Sequence, residues 1–253
     1  FKVVIPARYA STRLPAKPLL EIGGRPMIQW VIDAAAASRA DEVLVATDDA
    51  RIARAAIDSR QPQHSVAVLT RAEHQSGTDR TAEVAALRGW SERTIVVNVQ
   101  GDEPQLPPQI IDQVAALLER HPDADMATLC TPIVSLHEFL DPNVVKVVMA
   151  DSGAALYFSR APIPWHRDGA AQGLASQTSM QGALRHLGLY AYRVEALRRL
   201  TRIAPSTLET TEKLEQLRAL QVGMRIVVEV ATALPGIGVD TEQDLERVRA
   251  GLV

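Results

Sequence analysis

The sequence predicts an α/β fold: a mixed, mainly parallel sheet flanked by helices, with an antiparallel lobe inserted late in the chain. Three observations predict it. Apolar, β-branched runs recur at residues 2–6, 42–47 and 94–99, continuous rather than alternating, as in strands buried on both faces. The segments between them carry helical patterns, and strand-helix-strand units impose parallel pairing. Residues 144–149 and 154–158 are instead joined only by the turn Asp151-Ser152-Gly153, so a hairpin replaces the next strand-helix unit. At 253 residues the chain suffices for one large core with an insertion, divided here as a core over 1–140 and 193–253 and a lobe over 141–192.

In order, the first strand leads into a loop in which Pro6, Pro15 and Pro18 oppose helix. Gly23-Gly24 makes a turn, Pro26 opens a helix to Ser38, and a strand over 42–47 follows. A helix over 50–59 is capped by Asp48 in preference to Asp48 facing a ligand. A polar connection at 59–64, a short strand at 66–69, and a polar loop at 70–80 precede a helix over 81–87. Beyond the strand at 94–99 come a helix over 107–120, a strand over 126–133 and one or two helical turns at 135–140. The Gly-, Ala-, Gln- and Ser-rich stretch after Trp165, to Gly182, reads as a substrate-covering or poorly ordered loop. A strand over 186–192, a helix over 194–201, a capped helix from Ser206 to Leu220, a strand over 225–230 and a closing helix after Thr241 complete the chain.

Composition excludes several classes. A net charge of −3 and a pI near 6.1 argue against a general nucleic-acid or membrane-surface binder, so any positive site is local. The single cysteine, Cys130, sits in an apolar run, which excludes an internal disulfide and a cysteine zinc site and reads as a buried, inert thiol. No apolar run approaches a membrane span and no signal-peptide pattern is read, so a cytoplasmic location is expected.

Charge concentrates where a ligand is expected. Arg8, Arg13 and Lys17 leave the C-terminal edge of the first strand together, the edge where open α/β sheets bind ligands. Two guanidinium forks and one ammonium suit a polyphosphate. Arg71, Ser76, Gly77, Thr78 and Arg80 offer hydroxyls, a close-approaching backbone and cations to a nucleotide, although a well-capped helix start explains them equally well. The strand at 94–99 ends in Gln100-Gly101-Asp102, placing a carboxylate beside the expected polyphosphate; that juxtaposition calls for an intervening cation, and Mg²⁺ is the natural one. Asp240, after Pro235-Gly236-Ile237-Gly238, either completes that metal site or belongs to the last helix's N-terminus. Glu209 reads as the N3 member of a capping box, and His186 as a satisfied core histidine.

The run Val4-Ile5-Pro6-Ala7-Arg8-Tyr9-Ala10-Ser11-Thr12-Arg13-Leu14-Pro15 with Lys17-Pro18-Leu19 resembles the signature of the CMP-sugar-acid synthetases, most closely the 3-deoxy-manno-octulosonate (Kdo) cytidylyltransferases. Later strings resemble the same family in the same order, among them Asn98-Val99-Gln100-Gly101-Asp102, Ala155-Leu156-Tyr157-Phe158-Ser159-Arg160, Arg185-His186-Leu187-Gly188-Leu189-Tyr190, Leu214-Glu215-Gln216-Leu217-Arg218 and Gly238-Val239-Asp240-Thr241. The resemblance covers essentially the whole chain. It implies a nucleotide-diphospho-sugar transferase-like fold that transfers CMP from CTP to the anomeric 2-hydroxyl of Kdo for lipopolysaccharide synthesis. A related acceptor, 8-amino-Kdo or sialic acid, is the alternative. By residue, it implies the triphosphate on Arg8, Arg13 and Lys17, the cytidine near Ser76 and Arg80, and Mg²⁺ on Asp102 and Asp240. It places Kdo among Gln100, Arg160, His186, Tyr190 and Glu209, and implies a homodimer through the second lobe. Ala16 stands where many relatives carry glycine, so a positive φ is not expected there.

Overall fold

The computed structural model describes residues 1–10, 14–57, 65–170 and 172–252; the expected phosphate ligand Arg13 and the connection at 59–64 lie outside the described residues. In chain order the strands are β1 Lys2–Pro6, β2 Glu21–Ile22, β3 Arg25–Pro26, β4 Glu42–Thr47, β5 Ser65–Leu69, β6 Ile95–Asn98, β7 Met126–Pro132, β8 Lys146–Met149, β9 Ala155–Ser159, β10 Leu184–Arg193 and β11 Ile226–Val230. The helices are α1 Met27–Ala36, α2 Ala50–Ile57, α3 Gly77–Leu87, α4 Pro108–Arg120, α5 Leu136–Leu140, α6 Val194–Leu200, α7 Thr207–Glu212, α8 Gln216–Gln221 and α9 Glu242–Leu252.

The sheet runs β11-β7-β10-β6-β1-β4-β5, with β8 pairing β10 and β9 pairing β8. β1, β4, β5 and β6 are mutually parallel, as are β7 and β11, while β10 runs antiparallel between β6 and β7. Alternate residues of each continuous apolar run feed opposite cores, which is why the runs do not alternate with polar residues. Val3, Ile5, Val43, Val45 and Val97 pack under Ile28, Ile32, Ile52 and Ile110 of α1, α2 and α4. Val4, Leu44 and Val96 pack under Val84, Val194 and Leu217 of α3, α6 and α8. Cys130 is fully buried, and burial pushes its thiol up to about 11, which leaves it inert. Among the described residues no helix is long and apolar enough to cross a membrane.

The hairpin β8–β9 forms as expected, yet it is not detached from the core. Leu184 and Arg185 pair with Val147 and Lys146, and the same strand continues to Arg193 in mid-sheet, so β10 crosses the expected boundary at 192. Three local expectations change. Asp49, not Asp48, caps α2, accepting the Arg51 amide at 2.8 Å. Helix α3 starts four residues before Thr81, because Ser76 and Asp79 close a capping box around its first turn. The helix from Ser206 does not run through to Leu220: Lys213 adopts a left-handed conformation (φ 55°) and separates α7 from α8.

Ala16 also departs from expectation, since it sits at φ 58°, ψ 23° before the short 3₁₀ turn Lys17–Leu19. Its amide donates to Tyr9 O at 3.1 Å, and the left-handed kink turns the loop so that Lys17 points back to the sheet edge. A Cβ is strained in that region by about 1 kcal/mol. Ala16→Gly is therefore expected to raise unfolding stability by about 1 kcal/mol, read from urea denaturation; an unchanged or lowered midpoint contradicts the strain.

Candidate active site

Four loops meet at the C-terminal edge of the parallel strands. The β6 turn lies against the end of β1, and a Cβ at Gly101 would stand 3.1 Å from Pro6 O, so a side chain there would push the β1 end back by a few tenths of an ångström. Gly77 is pressed on Pro6 in the same way, its added Cβ 3.0 Å from the Pro6 ring. Val239 donates its amide to Asp102 O at 2.9 Å, tying the segment before α9 to the β6 turn. These contacts bring Asp102 and Asp240 together from 138 positions apart in the chain.

A cavity of about 300 Å³ opens there, lined by Arg8, Lys17, His74, Ser76, Arg80, Gln100, Asp102 and Asp240, among others. Lys17 Nζ lies 2.5 Å from Asp102 Oδ2 and 3.1 Å from Asp240 Oδ1, so the two carboxylates converge on one cationic atom. Asp102 is about one-third exposed and Asp240 about half, and both side chains line the cavity. Behind them Glu103 is pushed up to about 7 by burial and by the Asp102 and Asp240 charges, against the pull of Arg185.

The opposing lining is tied by its own hydrogen bonds. The Ser76 hydroxyl accepts from the Asp79 amide at 3.1 Å and donates to Asp79 Oδ2 at 2.9 Å, so its capping role is filled from within. Arg80 is buried; it donates to the Thr70 hydroxyl and stands 3.4 Å from Asp48, which explains why Asp48 is not the α2 cap. Arg71 is exposed and pairs with Glu83 at 3.3 Å, and it does not line the cavity.

A second cavity of about 600 Å³ adjoins the first and shares Ser76, Gly77, Gln100 and Asp240 with it. Its walls include Asn98, Glu103, Arg185, His186, Tyr190, Tyr192, Glu215 and Gln216. Asn98 Oδ1 and Gln216 Nε2 are buried with no hydrogen-bond partner among the described residues, an arrangement that a polyhydroxylated ligand would satisfy. His186 Nε2 lies 3.1 Å from the Thr128 hydroxyl, which itself sits within 3.0 Å of the Leu187 carbonyl and 2.8 Å of the Leu189 carbonyl. Burial holds its ring down to about 3, so it faces the cavity uncharged.

Arg160 and Glu209, expected here, are elsewhere. Arg160 donates to the Glu212 carbonyl at 2.6 Å and the Pro142 carbonyl at 2.9 Å, fastening the hairpin to α7. Glu209 completes the Ser206 capping box and pairs with Arg218 at 3.0 Å. From this part of the chain the acid that reaches the cavity, beside Glu103 and Asp240, is Glu215, which accepts from the Thr78 hydroxyl at 2.5 Å; its carboxyl is raised by burial. Glu215 and Gln216 stood within a noted string without a role, and the break at Lys213 that turns them inward carries no glycine or proline signal.

The comparisons with known proteins agree with this geometry. The family model described as cytidylyltransferase matches residues 2–226. The chain is 56% identical over 248 residues to a 3-deoxy-manno-octulosonate cytidylyltransferase of Thioalkalivibrio sulfidiphilus, covering 98% of this chain and 97% of the relative. It is 55% identical to the protein of that name from Pseudomonas fluorescens, over 98% of this chain and 96% of the relative. A solved CMP:2-keto-3-deoxy-manno-octonic acid synthetase, complexed with CTP, superposes with a TM-score of 0.86 at 41% identity, covering 99% of this chain and 97% of that one. With the signature loop on the sheet edge, the two cavities behind it and relatives matched end to end, the chain belongs to the cytidylyltransferase family, among the 3-deoxy-manno-octulosonate cytidylyltransferases.

Proposed function

We propose that the chain transfers CMP from CTP to the anomeric 2-hydroxyl of Kdo, giving CMP-Kdo and pyrophosphate. The observation that carries this reading is the junction of the two cavities: a cationic nucleotide-sized site opens into a larger site with unpaired polar atoms, and Gln100 and Asp240 border both. The hydroxyl oxygen attacks the α-phosphorus, the bond to the bridging oxygen breaks, pyrophosphate leaves, and the hydroxyl proton passes to solvent. No covalent enzyme intermediate is required. Arg8 and Lys17 draw the triphosphate to the β1 edge and neutralise charge on the departing pyrophosphate, while the capped α3 and the β6 turn hold the reactants in line.

Two carboxylates converging on one cationic atom, with neighbouring space for phosphate oxygens, fit Mg²⁺, which uses one or two carboxylates plus substrate oxygens rather than a full protein cage. No cluster of three or more acidic, histidine or cysteine ligands occurs among the described residues, in keeping with such a partial donor set. Held by Asp102 and Asp240, Mg²⁺ would polarise the α-phosphate and acidify the attacking hydroxyl. On the same reading the enzyme works in the cytoplasm as a homodimer and supplies lipopolysaccharide synthesis; exposed Leu156 and Trp165 on the hairpin side support a subunit contact there.

The test is pyrophosphate release with CTP, Mg²⁺ and freshly prepared Kdo, alongside 8-amino-Kdo and sialic acid. Release with Kdo at a rate at least tenfold above the other acceptors is expected. Release with sialic acid alone, or with none despite CTP binding, contradicts the reading.

A further inference from the structure

We propose that His74 reads the cytosine base, presenting the Nδ1 lone pair to its 4-amino group, and that Glu83 is the positioning residue that fixes the required tautomer. The inference rests on CTP occupying the first cavity. A triphosphate drawn to Arg8, Lys17 and the carboxylate pair leaves the base to the remaining lining, whose polar side chains are His74, Gln75, Ser76, Arg80 and Gln100. The His74 side chain is only 11% exposed.

The His74 Nε2 atom lies 2.5 Å from Glu83 Oε2, which reaches it from two turns along α3 and folds the loop back over the helix. The same carboxylate accepts the Arg71 amide at 2.9 Å, and its other oxygen stands 3.3 Å from Arg71 Nε. Burial raises the Glu83 carboxyl, but the Arg71 amide, the His74 hydrogen bond, and the His74 (when protonated) and Arg71 charges together bring it below its usual value. Held by the Arg71 amide and side chain, the carboxylate only accepts, so whenever the imidazole carries a single proton that proton belongs on Nε2 and Nδ1 carries the lone pair. Among the described residues the ring has no second hydrogen bond. Cytosine offers an amino donor at C4 where uracil offers a carbonyl acceptor. Facing a lone pair, the first bonds and the second is repelled, so the dyad selects CTP over UTP.

Kinetics at pH 8 with CTP and UTP, read by pyrophosphate release at saturating Kdo, test this. Two His74 variants separate the ring's functions: the asparagine oxygen of His74→Asn falls near Nδ1 and keeps the acceptor, whereas His74→Gln reaches toward Nε2 and keeps only the tie to Glu83. The expected result is that H74N retains the parent's CTP-over-UTP preference within about fivefold. H74Q and E83Q lose about tenfold or more of it, with the loss falling more on KM for CTP than on kcat. Calorimetric binding of CTP and UTP gives the same contrast for a variant too slow to assay, and thermal melting identifies any that fail to fold. An undiminished preference in H74Q, or equal losses in H74N and H74Q, overturns the inference and leaves the bond as a tie within the loop. If the unsubstituted protein makes no pyrophosphate from CTP and Kdo, the functional reading itself fails, and this inference with it.

Discussion

Replacing Asp102 by asparagine is expected to lower kcat by about a thousandfold while leaving the fold and CTP binding in place. The side chains are isosteric, and the backbone contacts that set the turn do not involve the carboxylate: Val239 donates to the Asp102 carbonyl, and Val99 donates to Val4 O at 3.0 Å. What the substitution removes is one of the two charges that converge on Lys17 Nζ. A neutral amide relieves repulsion toward a triphosphate, so CTP affinity in the absence of Mg²⁺ is expected to hold or rise, whereas the Mg²⁺ dependence of turnover weakens. Calorimetry with and without Mg²⁺, together with pyrophosphate release, distinguishes this from a general loss of binding. Turnover within tenfold of the parent would remove Asp102 from the metal assignment.

That residue pair illustrates what was legible in the chain. Asp102 follows a buried strand directly, so its position at the sheet edge is a local property of the sequence. The same holds for Arg8 and Gln100, which border the first cavity, whereas Lys17 reaches it through the left-handed turn at Ala16. Residues set by a long-range fastening were harder to place. Arg160 leaves a strand in a family-like string, but Glu212 and Pro142 claim its guanidinium. Glu209 carried a capping signal that proved to be its local role. The residue next to Gln216 at the cavity instead depends on a left-handed Lys213, and no residue type there announces such a turn. Ala16 shows the converse: an alanine occupies a left-handed position that its sequence identity argued against, because hydrogen bonds from Ala16 N to Tyr9 O and from Leu19 N to Ala16 O hold the loop around it.

Arg218→Met is expected to cost about 3–5 kcal/mol of unfolding free energy, the largest stability loss anticipated for a single change near the second cavity. The Arg218 side chain is 9% exposed and stands 3.0 Å from Glu209 and 3.4 Å from Glu215. It also donates to the Ile203 carbonyl at 2.8 Å, closing the loop between α6 and α7. Methionine fills much of the same volume, so the expected loss comes from charge and hydrogen bonding rather than from a cavity. Two carboxylates then face each other with no cation between them, one of them already raised by burial. Glu215 is expected to protonate or turn away, withdrawing its hydrogen bond to Thr78 on α3 and disturbing the wall that Gln216 shares. The kinetic consequence is a rise in KM for the sugar acid greater than that for CTP, since the first cavity does not include Glu215. Urea unfolding and paired KM measurements check both parts. Adding Glu209→Gln and Glu215→Gln to Arg218→Met should recover part of the lost stability, because the orphaned charges are then gone; no recovery would show that the loss comes from the hydrogen bonds to the Leu200 and Ile203 carbonyls and from packing rather than from the orphaned charges.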